Sequence, residues 1–149
     1  MYKSSKIFWD CISSYLITMT SIPTRTCLKR DVLQLKGTSF SQWLKDPNHI
    51  YINRNLAKYV KKDGLLDSVW YKNISELQKF TNDEEIDLLT AYERCVRSTP
   101  ELWNNLHNLE NKVLGCWCIP SEPCHADVLI KLFKEKNNEG QQHKMFYAK

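Results

Sequence analysis

The chain has 149 residues, 42% of them hydrophobic and 26% charged, with a formal net charge of +4. That is one domain's worth of polypeptide with enough apolar material for a core, which excludes a disordered chain and a scaffold held by staples alone. The mild positive balance suits an anionic small ligand better than a dedicated nucleic-acid surface, where basic residues gather more densely.

Six cysteines would fit a secreted disulfide framework only if a secretory signal preceded them. The run "IFWDCISSYLITM" (7–19) is interrupted by Asp10 and by serines, lacks a small-residue cleavage site and leads into the basic "SIPTRTCLKR". It is also too short and polar to cross a bilayer. The expectation is an intracellular, cytoplasmic protein with reduced cysteines and no membrane association. Residues 1–37 read as an amino-terminal extension, 38–136 as one small α/β domain with a short, mostly parallel sheet flanked by helices, and 137–149 as a loose polar tail.

Within 1–37, "DVLQLKG" (31–37) suits a short strand or a turn of helix. "TSFSQWLKDP" (38–47) has the pattern of a short helix, with Ser39 or Ser41 as N-cap, a Phe40/Trp43/Leu44 face and Pro47 as stop. "HIYINR" (49–54) is β-branched and aromatic, a strand signal. The stretch 55–73, with Lys58, Lys61, Lys62 and an Asp63-Gly64 turn, reads as a long irregular loop. Residues 82–97 read as a helix capped by Asn82, with acidic residues first, Arg94 and Arg97 last, and an apolar face of Leu88, Leu89, Tyr92, Cys95 and Val96. Thr99 and Pro100 restart a second helix with a Leu102/Trp103/Leu106/Leu109 stripe.

"KVLGCWC" (112–118) has the length and apolarity of a strand covered on both faces. Period-two geometry places Leu114, Cys116 and Cys118 on one side and Val113, Gly115 and Trp117 on the other. A helix follows from Cys124 to about Lys136, with Val128, Leu129, Leu132 and Phe133 on its buried side. The loop between lies at the carboxyl end of the strand, where ligands enter open α/β sheets and where a helix amino terminus offers N–H groups and positive potential. A Cys124 thiol there is expected to ionise readily, and His125 to exchange protons near neutral pH. Cys124 and His125 are therefore the candidate catalytic pair. Cys116, Cys118, Cys124 and His125 together form the competing candidate, a Cys₃His zinc site. Against it stand an unfamiliar spacing and the roughly 100° divergence of adjacent helical residues. Buried core packing is the plain alternative for Cys116 and Cys95.

These residues resemble a known family. "KVLGCWCIPSEPCHADVLIKLF" is similar to the signature of domain-of-unknown-function family 4326, which carries Leu-Gly-Cys-Trp-Cys, Pro-Cys-His and a helix. The likeness takes in "FSQWLKDPNHIYINR" and "AYERCVRSTPELWNNLHNLE", from about 38 to 135. Members occur in bacteria, eukaryotes and large DNA viruses, so the resemblance admits a divergent viral member acting in a host cell. The family's Tyr-Ile-Gly-Arg stands here as Tyr51-Ile52-Asn53-Arg54, and its Ser-x-Trp-Gly-Asn-Pro as Ser68-Val69-Trp70-Tyr71-Lys72-Asn73. The resemblance carries Arg54, Ser68, Trp70 and Asn73 over as candidate ligand-binding positions. Cys116, Cys118, Pro123, Cys124, His125 and Asp127 match more directly, and Asp127 joins the ligand-binding set.

Two functions from different classes follow. One is binding of, and chemistry on, a nucleotide- or phosphate-like anion, with Arg54 supplying charge and Cys124 or His125 reacting. The absence of a Gly-rich phosphate loop names no cofactor for it. The other is a non-catalytic module built on a Cys/His zinc site or serving protein interaction. Nucleic-acid binding through Arg54, Lys58, Lys61 and Lys62 is a weaker third option, and composition leaves the oligomeric state open.

Overall fold

In a computed structural model, the structure describes residues 22–53, 68–81 and 87–147, with side chains to 140. Three short strands form one sheet: β1 (Thr24–Cys27), β2 (His49–Tyr51) and β3 (Val113–Cys116). Their order is β1-β3-β2 and both pairings are parallel. Thr24 and His49 both stand beside Val113, so Cys27, Tyr51 and Cys116 all end at the same edge. Parallel neighbours need helical crossovers, and six helices among the described residues supply them. These are α1 (Arg30–Leu35), α2 (Phe40–Trp43), α3 (Ile74–Gln78), α4 (Leu88–Ser98), α5 (Pro100–Asn105) and α6 (His125–Tyr147). A 3₁₀ turn, Leu106–Leu109, extends α5.

The alternation of β3 sorts the core into two layers. Leu114 and Cys116 belong to the larger cluster, with Tyr92, Cys95, Val96, Leu106, Leu129 and Phe133 from the α4–α6 side. Val113 and Trp117 pack with Leu28, Leu33, Trp43 and Tyr51 on the α1–α2 side. Both faces of the central strand are therefore covered, as the apolar run "KVLGCWC" requires. Gly115 permits that closeness: a Cβ there would lie 2.3 Å from Trp43 Cη2 and 2.8 Å from Leu28 Cδ1.

Local chemistry sets the helix starts. Ser39 caps α2 in a reciprocal capping box with Gln42, and Asn73 does the same for α3 with Glu76. Pro100 opens α5 behind Thr99, though the Thr99 side chain accepts no cap bond. Of the two alternatives open for 31–37, the helix is the one observed, Arg30–Leu35 with Gly37 closing the following turn at φ +70°, a conformation that costs glycine little. Three other expectations change. The described part of α4 begins at Leu88, which stands exposed, while Ala91 takes a buried position; the expected cap Asn82 lies outside the described residues. Helix α6 runs on to Tyr147, through the stretch expected to be a loose tail, because nothing in "KNNEGQQHKMFY" forbids helix except the tolerable Gly140. The strand Thr24–Cys27 lies within the segment read as an extension and is integral to the sheet. Among the described residues, no helix is long and apolar enough to cross a membrane.

Candidate metal centre

The carboxyl ends of the strands, the loop 117–124 and the start of α6 meet at one point. There the sulfurs of Cys116, Cys118 and Cys124 all lie within 4.8 Å of one another. Cys116 and Cys124 are 1% exposed and Cys118 is half-buried. Among the described residues all five cysteines are free thiols. Three close cysteines of this kind can hold a metal ion.

His125, the first residue of α6, completes the neighbourhood. Its Nε2 is 3.1 Å from the Ile52 carbonyl oxygen, just beyond β2, and its Nδ1 is 3.5 Å from Cys124 Sγ. A carbonyl only accepts, so Nε2 carries the proton and Nδ1 presents a lone pair towards the sulfur. The anticipated divergence of adjacent helical side chains does not arise, because Cys124 is the N-cap and precedes the first helical residue. The ring of Tyr92 stands edge-on to His125 at 5.5 Å, and its hydroxyl donates to the Trp70 carbonyl at 2.6 Å. Burial holds that phenol well above its ordinary pKa.

The start of α6 supplies its own cap. Cys124 Sγ accepts the Ala126 N–H at 3.5 Å, and the Asp127 carboxylate accepts the Cys124 N–H at 2.9 Å. The thiol caps the N2 position and the N3 carboxylate reaches back to the N-cap N–H, so the cysteine serves as an N-cap with half of a capping box. The same Asp127 oxygen is 2.6 Å from Arg25 Nη1. Arg25 Nη2 also donates to the carbonyls of Pro120 at 2.6 Å and Glu122 at 3.0 Å. One guanidinium from β1 thus clamps the loop that carries Cys118 to Cys124.

Crowding three thiols makes them titrate as a set. Cys116 is lowered, chiefly by the hydrogen bond from the Cys124 thiol, against the opposing effect of burial. Cys124 is pushed up to about 11, first by that same bond to Cys116 and then by burial. Cys118 is pushed up to about 11 by burial and by Cys124. The expected ease of ionising Cys124 is therefore reversed. The Ala126 N–H does favour its thiolate, but a neighbouring sulfur and burial outweigh the helix end.

The residues carried over by resemblance separate here. The sulfurs of Cys116, Cys118 and Cys124 converge, while His125 meets only Cys124 of the three and Asp127 turns to the Cys124 N–H and Arg25. Trp70 is 4% exposed and sits in the main core, reaching His125 only through Tyr92. Ser68 accepts the Trp70 N–H at 3.3 Å, and Asn73 caps α3. Arg54, Lys58, Lys61 and Lys62 lie outside the described residues. Arg25, Tyr92 and the Ile52 carbonyl were not singled out from sequence. The cue for Arg25 was slight: a cation alternating with threonines in "TRTC".

The model of the family described as Domain of unknown function (DUF4326) matches residues 20–135. The chain belongs to this family. The matched span begins just before β1 and ends within α6, so it encloses the whole sheet and the thiol cluster. No curated protein and no solved structure matches the chain.

Proposed function

We propose that this DUF4326 domain is a zinc-binding module in which Cys116, Cys118, Cys124 and His125 Nδ1 hold one ion. The observation that carries this reading is the convergence of three sulfurs beside an imidazole whose other nitrogen is already committed to a carbonyl. Zinc–sulfur and zinc–nitrogen bonds of about 2.3 and 2.0 Å imply tetrahedral edges of roughly 3.8 Å between sulfurs and 3.5 Å from sulfur to nitrogen. The sulfurs, within 4.8 Å of one another, need approach by at most about 1 Å. His125 Nδ1 stands 3.5 Å from Cys124 Sγ but lies outside the 4.8 Å cluster of the three sulfurs, so the ring must turn further to become the fourth ligand. The Nε2–H bond to Ile52 is the partner that metal-ligating histidines ordinarily have.

Four protein ligands leave no open position, which favours a structural centre over a catalytic one. Its role is to tie the end of β3 and the start of α6 together beside the end of β2. Nucleophilic catalysis by Cys124 with His125 has less support, since the thiol is held at about 11. Anion binding at the α6 amino terminus has less support too. The N–H groups of Cys124, Ala126, Asp127 and Val128 all have acceptors within the chain, and Asp127 already places a carboxylate there.

The test is zinc stoichiometry of the full chain after dialysis against a weak chelator, in the parent and in Cys116→Ser, Cys118→Ser, Cys124→Ser and His125→Ala. One zinc per chain is expected, lost or at least tenfold weaker in each variant. A parent chain that holds no zinc, or variants that retain it fully, would overturn the reading.

A further inference from the structure

On the opposite side of the sheet from the thiols lies a cleft of about 490 Å³, lined by β1–α1, α1, α2 and Trp117. Its volume falls within the range of small-molecule pockets, about 300–1,000 Å³. Leu28, Leu33, Phe40 and Trp117 form its apolar walls. The rings of Phe40 and Trp117 stand 5.4 Å apart at 49° and are only half-buried, so aromatic surface faces the opening. Trp117 spends its one donor on the Tyr51 hydroxyl at 3.0 Å, which fixes the indole and leaves its face apolar towards the cleft.

The polar lining consists of three hydroxyl residues, the neutral amide of Gln34 and one cation. The hydroxyls of Thr38, Ser39 and Ser41 are engaged with the Ser39 carbonyl, with each other and with the α2 cap. They have little to offer a sugar or other polyhydroxylated body. Arg30 differs: its guanidinium has no ion-pair or hydrogen-bond partner among the described residues, and no aspartate or glutamate lines the cleft. A single uncompensated cation at the edge of an apolar, aromatic-walled cavity is complementary to one negative charge on a flat hydrophobic body.

We infer that this cleft binds an aromatic monocarboxylate, with its ring system against Phe40 and Trp117 and its carboxylate on Arg30. The inference is independent of the zinc reading, since it uses none of the four ligands. It assigns an anionic ligand to the α1–α2 face, away from the α6 terminus.

The experiment is calorimetric titration of the full chain with 2-naphthoate, and with the uncharged 2-naphthamide as its isostere. Saturable one-to-one binding of naphthoate is expected, with naphthamide at least tenfold weaker. Arg30→Gln, a surface change that leaves the core intact, should weaken naphthoate at least tenfold and leave naphthamide within twofold. Ser41→Trp, which fills the cleft from an exposed position, should abolish binding of both. The inference is overturned if the chain shows no saturable naphthoate binding, including the case in which its own residues fill the cleft. It is equally overturned if Arg30→Gln binds naphthoate as the parent does, or if naphthamide binds the parent as tightly as naphthoate.

Discussion

Replacing Gly115 by alanine tests whether the central strand is held between two closely apposed layers. The new methyl would sit 2.3 Å from Trp43 Cη2 and 2.8 Å from both Trp43 Cζ3 and Leu28 Cδ1. Carbon atoms rest about 3.5–4.0 Å apart, so the indole must retreat by roughly 1.2 Å or more. It has little room: Trp43 is 5% exposed and stacks on the His49 ring at 4.4 Å. Overpacking of this severity costs about 1–3 kcal/mol, and the absence of a soft neighbour places Gly115→Ala near 3. Urea denaturation of parent and variant measures the loss, with an unchanged denaturant slope showing that both still unfold from a compact state. Trp43→Leu removes the obstructing ring, so the same glycine change in that background should cost under about 1 kcal/mol, the remainder coming from Leu28. A cost below about 0.5 kcal/mol in the parent, or an equal cost in both backgrounds, would refute the packing argument.

Other expectations concern the site and its supports. Arg25→Ala removes a side chain that is 17% exposed and bonds Asp127, Pro120 and Glu122. It should cost about 2 kcal/mol and raise hydrogen exchange selectively in residues 117–124. Arg25→Lys should recover only part, because an ammonium lacks the fork that spans these acceptors; unchanged exchange in Arg25→Ala would count against the clamp. Zinc affinity should rise at least about 100-fold per pH unit from pH 6 to 8, and more steeply wherever the Cys116 thiol is still protonated. The thiols of Cys118 and Cys124, at about 11 without metal, must each release a proton. Chelator competition at fixed pH measures that slope, and a rise below tenfold per unit would contradict thiolate ligation. Glu93 accepts from Lys131 and Arg97, which hold its carboxyl below the ordinary value. A depressed carboxylate stabilises the fold above its unfolded pKa, and that contribution is lost as pH falls through the folded one. Stability should therefore decline below about pH 4.5 less steeply in Glu93→Gln, at a neutral-pH cost within about 1 kcal/mol because the pair meets solvent. Identical acid slopes would count against the pairing.

The strongest sequence signals were those in which local chemistry and burial agree. The run 112–118 has the length and apolarity of a strand covered on both faces, and the alternation of Leu114 and Cys116 against Val113 and Trp117 is the one observed. Of the two serines offered as the cap of α2, Ser39 is the one that caps it, with Gln42 reciprocating. Strand β1 was less legible, because "TRTC" offers two threonines, one cation and one thiol to an edge position. Its identity comes from pairing with β3, 89 residues away at Thr24 and Val113 (113 − 24). That non-local contact also hid Arg25, whose partners lie at 120, 122 and 127. At the site, sequence placed Cys124 and His125 at a helix start but misjudged both consequences. One residue of difference in the helix boundary turns divergent side chains into a 3.5 Å pair. The field of the helix end, the feature visible in sequence, is overridden by a buried sulfur that only the fold brings near.

The measurement that bears most directly on the zinc centre is X-ray absorption at the zinc edge on the full chain, purified and reloaded with one equivalent of zinc. The account predicts three sulfur neighbours at about 2.3 Å and one nitrogen at about 2.0 Å, with the nitrogen replaced by a water oxygen in His125→Ala. Two or fewer sulfurs, or a chain that cannot retain the ion, would contradict it.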